Sequence, residues 1–206
     1  MILALGLLSI LFFAGCELPS SSGKSRHDFG ENDPNVVLCM GDSITHGYTL
    51  PRDQNYPSQL AVFLGRRVIN TGLIGATSRD GLRRIRGLLE ENKPGYVLIM
   101  YGTNDVRTGS TGATIDNLRQ MIRIAKEQNV IPIIATLPPT SGRYAFMLED
   151  LVAMNSRIRS LASSEGVRVA DVARAFDSNV SLLQDGIHPN RDGMQKIALA
   201  FFDRID

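Results

Sequence analysis

The chain has 206 residues, 43% of them hydrophobic, which suits one domain with its own core. Its 22 Lys and Arg against 21 Asp and Glu leave a net charge of +1. So small a charge sets up no long-range field toward nucleic acid or an anionic surface, and nucleic acid is not among the expected partners.

The first segment, MILALGLLSILFFAGC, is apolar from Met1 to Ala14 and ends in small residues before Cys16. It falls short of the roughly 20 apolar residues that a helix needs to cross a bilayer. Residues 1–15 therefore read as a secretion signal. FAGC resembles the lipobox of bacterial lipoproteins. That resemblance implies a lipidated Cys16, a membrane partner through the lipid, and a place on the cell envelope outside the cytoplasm, periplasmic in a Gram-negative cell. The duller reading makes Cys16 an ordinary residue after a signal. The second cysteine, Cys39, lies within the apolar run VVLCM and behaves as a small hydrophobe, so no disulfide framework is expected. Residues 16–33 are rich in Ser, Gly, Asp, Asn and Pro and read as a flexible tether, with His27 solvated, ahead of a folded domain over 34–206.

From Val36 onward the pattern alternates. Apolar, β-rich runs at 36–40, 67–70, 96–102, 130–137 and 167–172 have the flat hydrophobicity of parallel strands covered on both faces. Helical stretches at 56–65, 78–92, 113–129, 144–166 and 192–205 separate and follow them. In the third, Ile115, Leu118, Met121, Ile122 and Ala125 share one face. Arg79, Arg83, Arg84 and Arg86 form a basic cluster read as a solvated face opposite Leu82, Ile85 and Leu89. The alternation predicts a doubly wound α/β sandwich on a five-stranded sheet.

In such sheets ligands bind outside the carboxyl ends of the strands. GDSITHG follows the first strand, GLIGATS the second and GTND the third, while DGIHPN at 185–190 precedes the last helix. These loops carry the ingredients of acyl transfer. A serine becomes nucleophilic when a base takes its proton and a carboxylate orients that base. Of three histidines, His27 is in the tether and His46 shares the turn of Ser43, which leaves His188 as base, with Asp185 three residues before it. The backbone of Gly75, the amide of Asn104 and the N–H of Ser43 are the candidate donors to an oxyanion. Each residue also has a plainer use. Ser43 alone would be a helix cap, Asp42 and Asp105 are expected to fix their loops, and Asp185 with His188 alone would make a poor metal site.

GDSIT (41–45), NTGLIG (70–75), GTND (102–105) and DGIHPN (185–190) resemble, in order, the four sequence blocks of the SGNH, or GDSL-type, hydrolases. The resemblance spans Val36 to the C-terminus. It implies a flavodoxin-like three-layer α/β/α fold with a mainly parallel sheet, and a serine esterase that uses no metal and no cofactor. By the same resemblance Ser43 is nucleophile and oxyanion donor, Gly75 and Asn104 complete the hole, His188 is the base and Asp185 its partner. The GxSxG elbow of the α/β-hydrolases is not found in the chain.

The expected substrate is a small-molecule ester with a small or slender acyl group, of the arylesterase, thioesterase or lysophospholipase kind. A carbohydrate or peptidoglycan O-acetylester is the alternative, and a non-catalytic binding protein on the same fold is the alternative of another class. Two loops are expected to shape the site, 104–112 and 138–148. In them Arg107 either meets a phosphate or sugar acid or is solvated, and Tyr144, Phe146 and Met147 either line an acyl channel or belong to the core.

Overall fold

The computed structural model describes residues 27–205, so the segment read as a secretion signal and Cys16 lie outside the described residues. Strands β1 (Asp33–Gly41), β2 (Arg67–Asn70), β3 (Pro94–Met100), β4 (Ile131–Ala135) and β5 (Arg168–Ala170) form one sheet in the order 2-1-3-4-5, every neighbouring pair parallel. All of β3 and the last six residues of β1 are buried, as strands covered on both faces must be. The helices are α1 (Ser43–His46), α2 (Tyr56–Leu64), α3 (Ser78–Asn92), α4 (Thr103–Arg107), α5 (Thr114–Glu127), α6 (Leu148–Glu165), α7 (Val172–Phe176) and α8 (Arg191–Phe202).

The chain steps from β1 to β2 in one direction, then returns past β1 to β3, β4 and β5 in the other. Right-handed crossovers then put α2 on one face and α3, α5 and α6 on the opposite face. The packing follows that rule: α3 lies on α5 and α5 on α6, whereas α2 lies on α8. The α2–α8 layer is joined by Tyr56 stacking on Phe201 at 5.5 Å between ring centroids. On the other face the predicted stripe of α5, from Ile115 to Ala125, is buried. The reversal between β1 and β3 opens a crevice at their carboxyl ends.

Four details differ from the sequence expectation. Residues 27–33, read as the end of a tether, pack on the domain. Phe29 lies 5.8 Å from the ring of Tyr96, Asn32 Nδ2 donates to the Gln128 carbonyl at 2.7 Å, and His27 Nε2 donates to that of Asn129 at 3.0 Å. One aromatic residue in a polar stretch supplies the apolar area that holds it down. The helix expected over 144–166 opens instead as a 3-10 turn, Gly142–Met147, before α6. Ser141 N donates to the Gly186 carbonyl at 2.8 Å, which pins the chain to the loop of DGIHPN and leaves the tight turn to absorb the change of direction. The last strand stops at Ala170 because Asp171 caps α7, accepting from Arg174 N. Finally, Arg84 is not part of a solvated face, since it is half-buried and donates to the Thr71 carbonyl at 2.9 Å.

Candidate active site

β1 ends at Gly41, and Asp42 turns the chain directly into α1 by accepting from Ile44 N at 2.8 Å. Ser43 is thus the first residue of α1, only 8% exposed, with its hydroxyl at the crevice. The cap is the aspartate and not the serine, which frees Oγ for other work. That hydroxyl lies 3.0 Å from His188 Nε2. His46, although on the same short helix, is exposed and turned away toward a separate polar depression with Arg52, Asn55 and Asn70.

β3 ends at Met100, and α4 brings Asn104 beside Ser43. Asn104 is 6% exposed, and its Nδ2 donates to the Ala76 carbonyl at 3.0 Å and leans toward Asp42 Oδ2 at 3.4 Å. Arg107 Nε donates to Asn104 Oδ1 at 3.2 Å, which sets which end of the amide faces the crevice. Asp105 fixes its loop, as expected: it accepts from Ser78 N at 3.0 Å, Ser78 Oγ at 2.5 Å and Thr114 Oγ1 at 3.0 Å, tying α4 to the starts of α3 and α5. Gly75 follows β2 at the rim of the same crevice, and its φ of +77° is the left-handed conformation that favours glycine.

The fourth loop is made by local hydrogen bonds. An antiparallel bridge joins Leu183 and Pro189, Gln184 N donates to the His188 carbonyl at 2.9 Å, and Asn190 caps α8. Asp185 Oδ1 accepts from Ile187 N at 3.1 Å and His188 N at 2.8 Å, which leaves Oδ2 2.7 Å from His188 Nδ1. The His188 side chain is 14% exposed and lies 4.9 Å from the ring of Tyr48, centroid to centroid. Gly186 holds φ +91°, and a Cβ there would sit 2.6 Å from the Ser141 carbonyl oxygen, so the loop closes onto its neighbour only with glycine.

The two acids differ in how tightly they hold a proton. Burial pushes the Asp42 carboxyl up to about 7, the neighbouring Asp105 adding to the rise and the bond from Ile44 N opposing it. For Asp185, burial works upward, but hydrogen bonds from the His188 ring and from the amides of His188 and Ile187 outweigh it and hold the carboxyl below its ordinary value. Asp185 therefore stays a carboxylate beside the imidazole.

Ser43, Asp185, His188, Gly75 and Asn104, chosen from the sequence, line one pocket of about 420 Å³. Tyr48, Ile74, Ile187 and Arg143 line it too, and sequence reasoning did not single them out. Tyr48 had a signal, since it closes the apolar-to-polar stretch that holds Ser43. Of the side chains suggested for an acyl channel, Tyr144 lines the pocket, whereas Met147 is buried in the core and Phe146 is 70% exposed. Arg107, for which two readings stood open, borders the pocket.

Comparison with known proteins gives a consistent result. The family model described as GDSL-like Lipase/Acylhydrolase family matches residues 39–196. The chain is similar to an arylesterase of Vibrio mimicus, 31% identical over 173 residues that span 79% of this chain and 84% of that one. It is also similar to the thioesterase 1/protease 1/lysophospholipase L1 of Escherichia coli K12, 29% identical over 170 residues, 79% of each chain. Among solved structures, a putative lipolytic protein of the G-D-S-L family from Desulfitobacterium hafniense DCB-2 superposes with a TM-score of 0.72 at 24% identity, over 82% of this chain and 98% of that one.

Proposed function

Because the chain belongs to the GDSL-like lipase/acylhydrolase family and is a serine ester hydrolase, we propose that Ser43 is its nucleophile, His188 its general base and acid, and Asp185 the carboxylate that orients His188. The observation that carries this reading is the unbroken chain of hydrogen bonds from Ser43 Oγ to His188 Nε2 at 3.0 Å and from His188 Nδ1 to Asp185 Oδ2 at 2.7 Å. Asp185 holds the proton on Nδ1, so Nε2 is the lone-pair nitrogen that faces the serine.

In this scheme Ser43 Oγ attacks the ester carbon while its proton passes to His188 Nε2. The carbonyl oxygen becomes an oxyanion held by the backbone N–H groups of Ser43 and Gly75 and by Asn104 Nδ2. Nδ2 has two hydrogens, one donated to the Ala76 carbonyl at 3.0 Å and the other held only weakly toward Asp42 Oδ2 at 3.4 Å, so a small tilt of the amide plane would share the second with the oxyanion. Collapse expels the alcohol, which takes the proton from His188, and leaves an acyl-serine. Water then attacks with His188 again as base, releasing the carboxylic acid and restoring Ser43.

We further propose that the acyl groups accepted are small or slender. The pocket of about 420 Å³, with Ile44, Ile74, Tyr48 and Ile187 among its lining, supports this. The test is hydrolysis of p-nitrophenyl esters from acetyl to dodecanoyl by the wild type, Ser43→Ala and His188→Ala. Activity falling with chain length and abolished in both variants is the expected result. Full wild-type activity in either variant would sink the assignment, and a profile confined to acetyl would favour a sugar O-acetylester as the natural substrate.

From the sequence FAGC we also propose that Cys16 carries a lipid and that the protein sits on the cell envelope. Expression in a bacterial host with membrane fractionation tests it: the wild type should partition with membranes and Cys16→Ser should not.

A further inference from the structure

The charges of the side chains that line the pocket do not cancel, and the one carboxyl behind them that Arg107 attracts, Asp42, is buried and keeps its proton up to about 7. Asp185 is committed to the His188 ring and to two loop amides, and the remaining charged side chains in the lining are Arg107 and Arg143. Among the described residues neither of them is within ion-pair distance of a carboxylate, in contrast to Arg119, Arg123 and Arg159 on the outer surface, which each meet one. A chain of net charge +1 thus concentrates two cations at the mouth of its reactive serine.

Both guanidinium groups are also oriented. Arg107 sits at the end of α4, after β3, and its Nε is fixed on Asn104 Oδ1 at 3.2 Å, so the fork of terminal nitrogens is left for a ligand. Arg143 comes from the 3-10 turn after β4 and lies over the ring of Tyr144, 4.9 Å from its centroid. Stacking of that kind restrains the side chain without using its N–H donors. Adjacent strand ends therefore present two planar forks to one pocket, and a planar fork matches the paired oxygens of a carboxylate or phosphate.

We infer that Arg107 and Arg143 recognise an anionic group carried by the ester, a carboxylate or phosphate near the scissile bond, so that charged esters are preferred to neutral ones of the same shape. The inference rests on the esterase reading of this pocket. Tyr48, Ile74 and Ile187 remain for the apolar part of the substrate, which makes the fitting class an ester with one charged end and one short apolar end.

The test uses two matched pairs of synthetic esters. In one, 4-carboxyphenyl butyrate against 4-carbamoylphenyl butyrate, the charge is on the alcohol side. In the other, p-nitrophenyl hydrogen glutarate against p-nitrophenyl 4-carbamoylbutanoate, it is on the acyl side. In at least one pair kcat/KM should favour the anion by roughly tenfold, carried mainly by KM, as charged hydrogen bonds in a half-open site allow. The preference should shrink when salt rises from about 0.02 M to about 0.5 M. It should collapse in Arg143→Gln and be partly restored in Arg143→Lys, and Arg107→Gln should lower it while also reducing turnover of both esters through Asn104. Turnover of the neutral ester reports that the Arg143 variants are folded, and a cooperative thermal unfolding transition reports it for Arg107→Gln. A ratio near one in both pairs, or a preference indifferent to both arginines, would overturn the inference while leaving the esterase reading intact. Failure of the wild type on every ester would overturn both.

Discussion

Ser43 and Asn104 stand at the ends of β1 and β3, the two strands at the reversal of the sheet, and each is less than a tenth exposed. Asp185 and His188 are carried by a loop whose regular structure is one bridge, Leu183 to Pro189, and whose aspartate is exposed. The first half is positioned by the core: Asp42, Asp105 and Asn104 are buried and bonded to backbone or to neighbouring helices. The second is positioned by short-range bonds within and beside the loop. A site divided in this way should lose fold and activity together when a buried, hydrogen-bonded side chain of the first half such as Asn104 is removed, and mainly activity when Asp185 or His188 is.

The largest effect expected is on the rate. Ser43→Ala and His188→Ala should each lower kcat by about 10⁴ to 10⁶, since members of such a unit act together and the binding and oxyanion groups leave a residual rate. Melting temperatures close to wild type in both would separate chemistry from stability. Next comes Asn104→Ala, expected to cost about 10²–10³ in kcat. Because its Nδ2 also satisfies the buried Ala76 carbonyl, it should lower the unfolding free energy as well, by about 1–3 kcal/mol. Asp185→Asn, by contrast, should reduce kcat with much less effect on the urea midpoint. Equal losses of stability at positions 104 and 185 would break the comparison.

The difference between the halves also explains what the sequence disclosed. Strands and long helices were legible because burial on both faces leaves a flat apolar run and burial on one face leaves a periodic one. Ser43 and Asn104 were legible because they follow such runs in polar, glycine-flanked loops, and His188 because the other two histidines were accounted for elsewhere, with Asp185 three residues before it. The helices α1, α4 and α7 were not, being four or five residues long, too short for a period, and fixed by single caps such as Asp42 and Asp171. Arg143 and Tyr48 were missed for another reason. Their part in the pocket depends on how loops from distant points of the chain meet, as when Gln184 Nε2 reaches the Tyr48 carbonyl at 3.2 Å, and no local pattern records that meeting. The packed segment 27–33 hid behind polar composition with Phe29 as its one large apolar residue.

A smaller effect sharpens the view of the loop. Gly186→Ala places a methyl 2.6 Å from the Ser141 carbonyl at a φ of +91°. The strain is on the order of 1–3 kcal/mol, and it falls on the contact that seats the histidine loop against the 3-10 turn. Activity should drop by about tenfold, with KM for esters affected as well because Arg143 and Tyr144 belong to that turn. If the variant were fully active, the loop would be held by something other than this contact.

The two acids, one in each half, should leave opposite marks on stability against pH. Asp42 keeps its proton up to about 7 in the folded protein, against 3.8 ordinarily. Between those values the native state binds more protons than the unfolded chain, so stability falls as pH rises from about 4 to about 7. Asp185 is held below the ordinary value, so its contribution is present above the usual carboxylate range and is lost as pH falls through the lowered one. Urea midpoints measured from pH 3 to pH 8 should show both slopes in the wild type. Asp42→Asn, which keeps an oxygen for the Ile44 amide, should flatten the decline on the neutral side by up to about 4 kcal/mol, and Asp185→Asn, at a more exposed site, should flatten the loss on the acid side by less. A neutral-side slope unchanged in Asp42→Asn would mean that this carboxyl is already ionised in the folded protein, with its charge carried by Asn104 and Arg107 and the oxyanion donors working beside a standing negative charge.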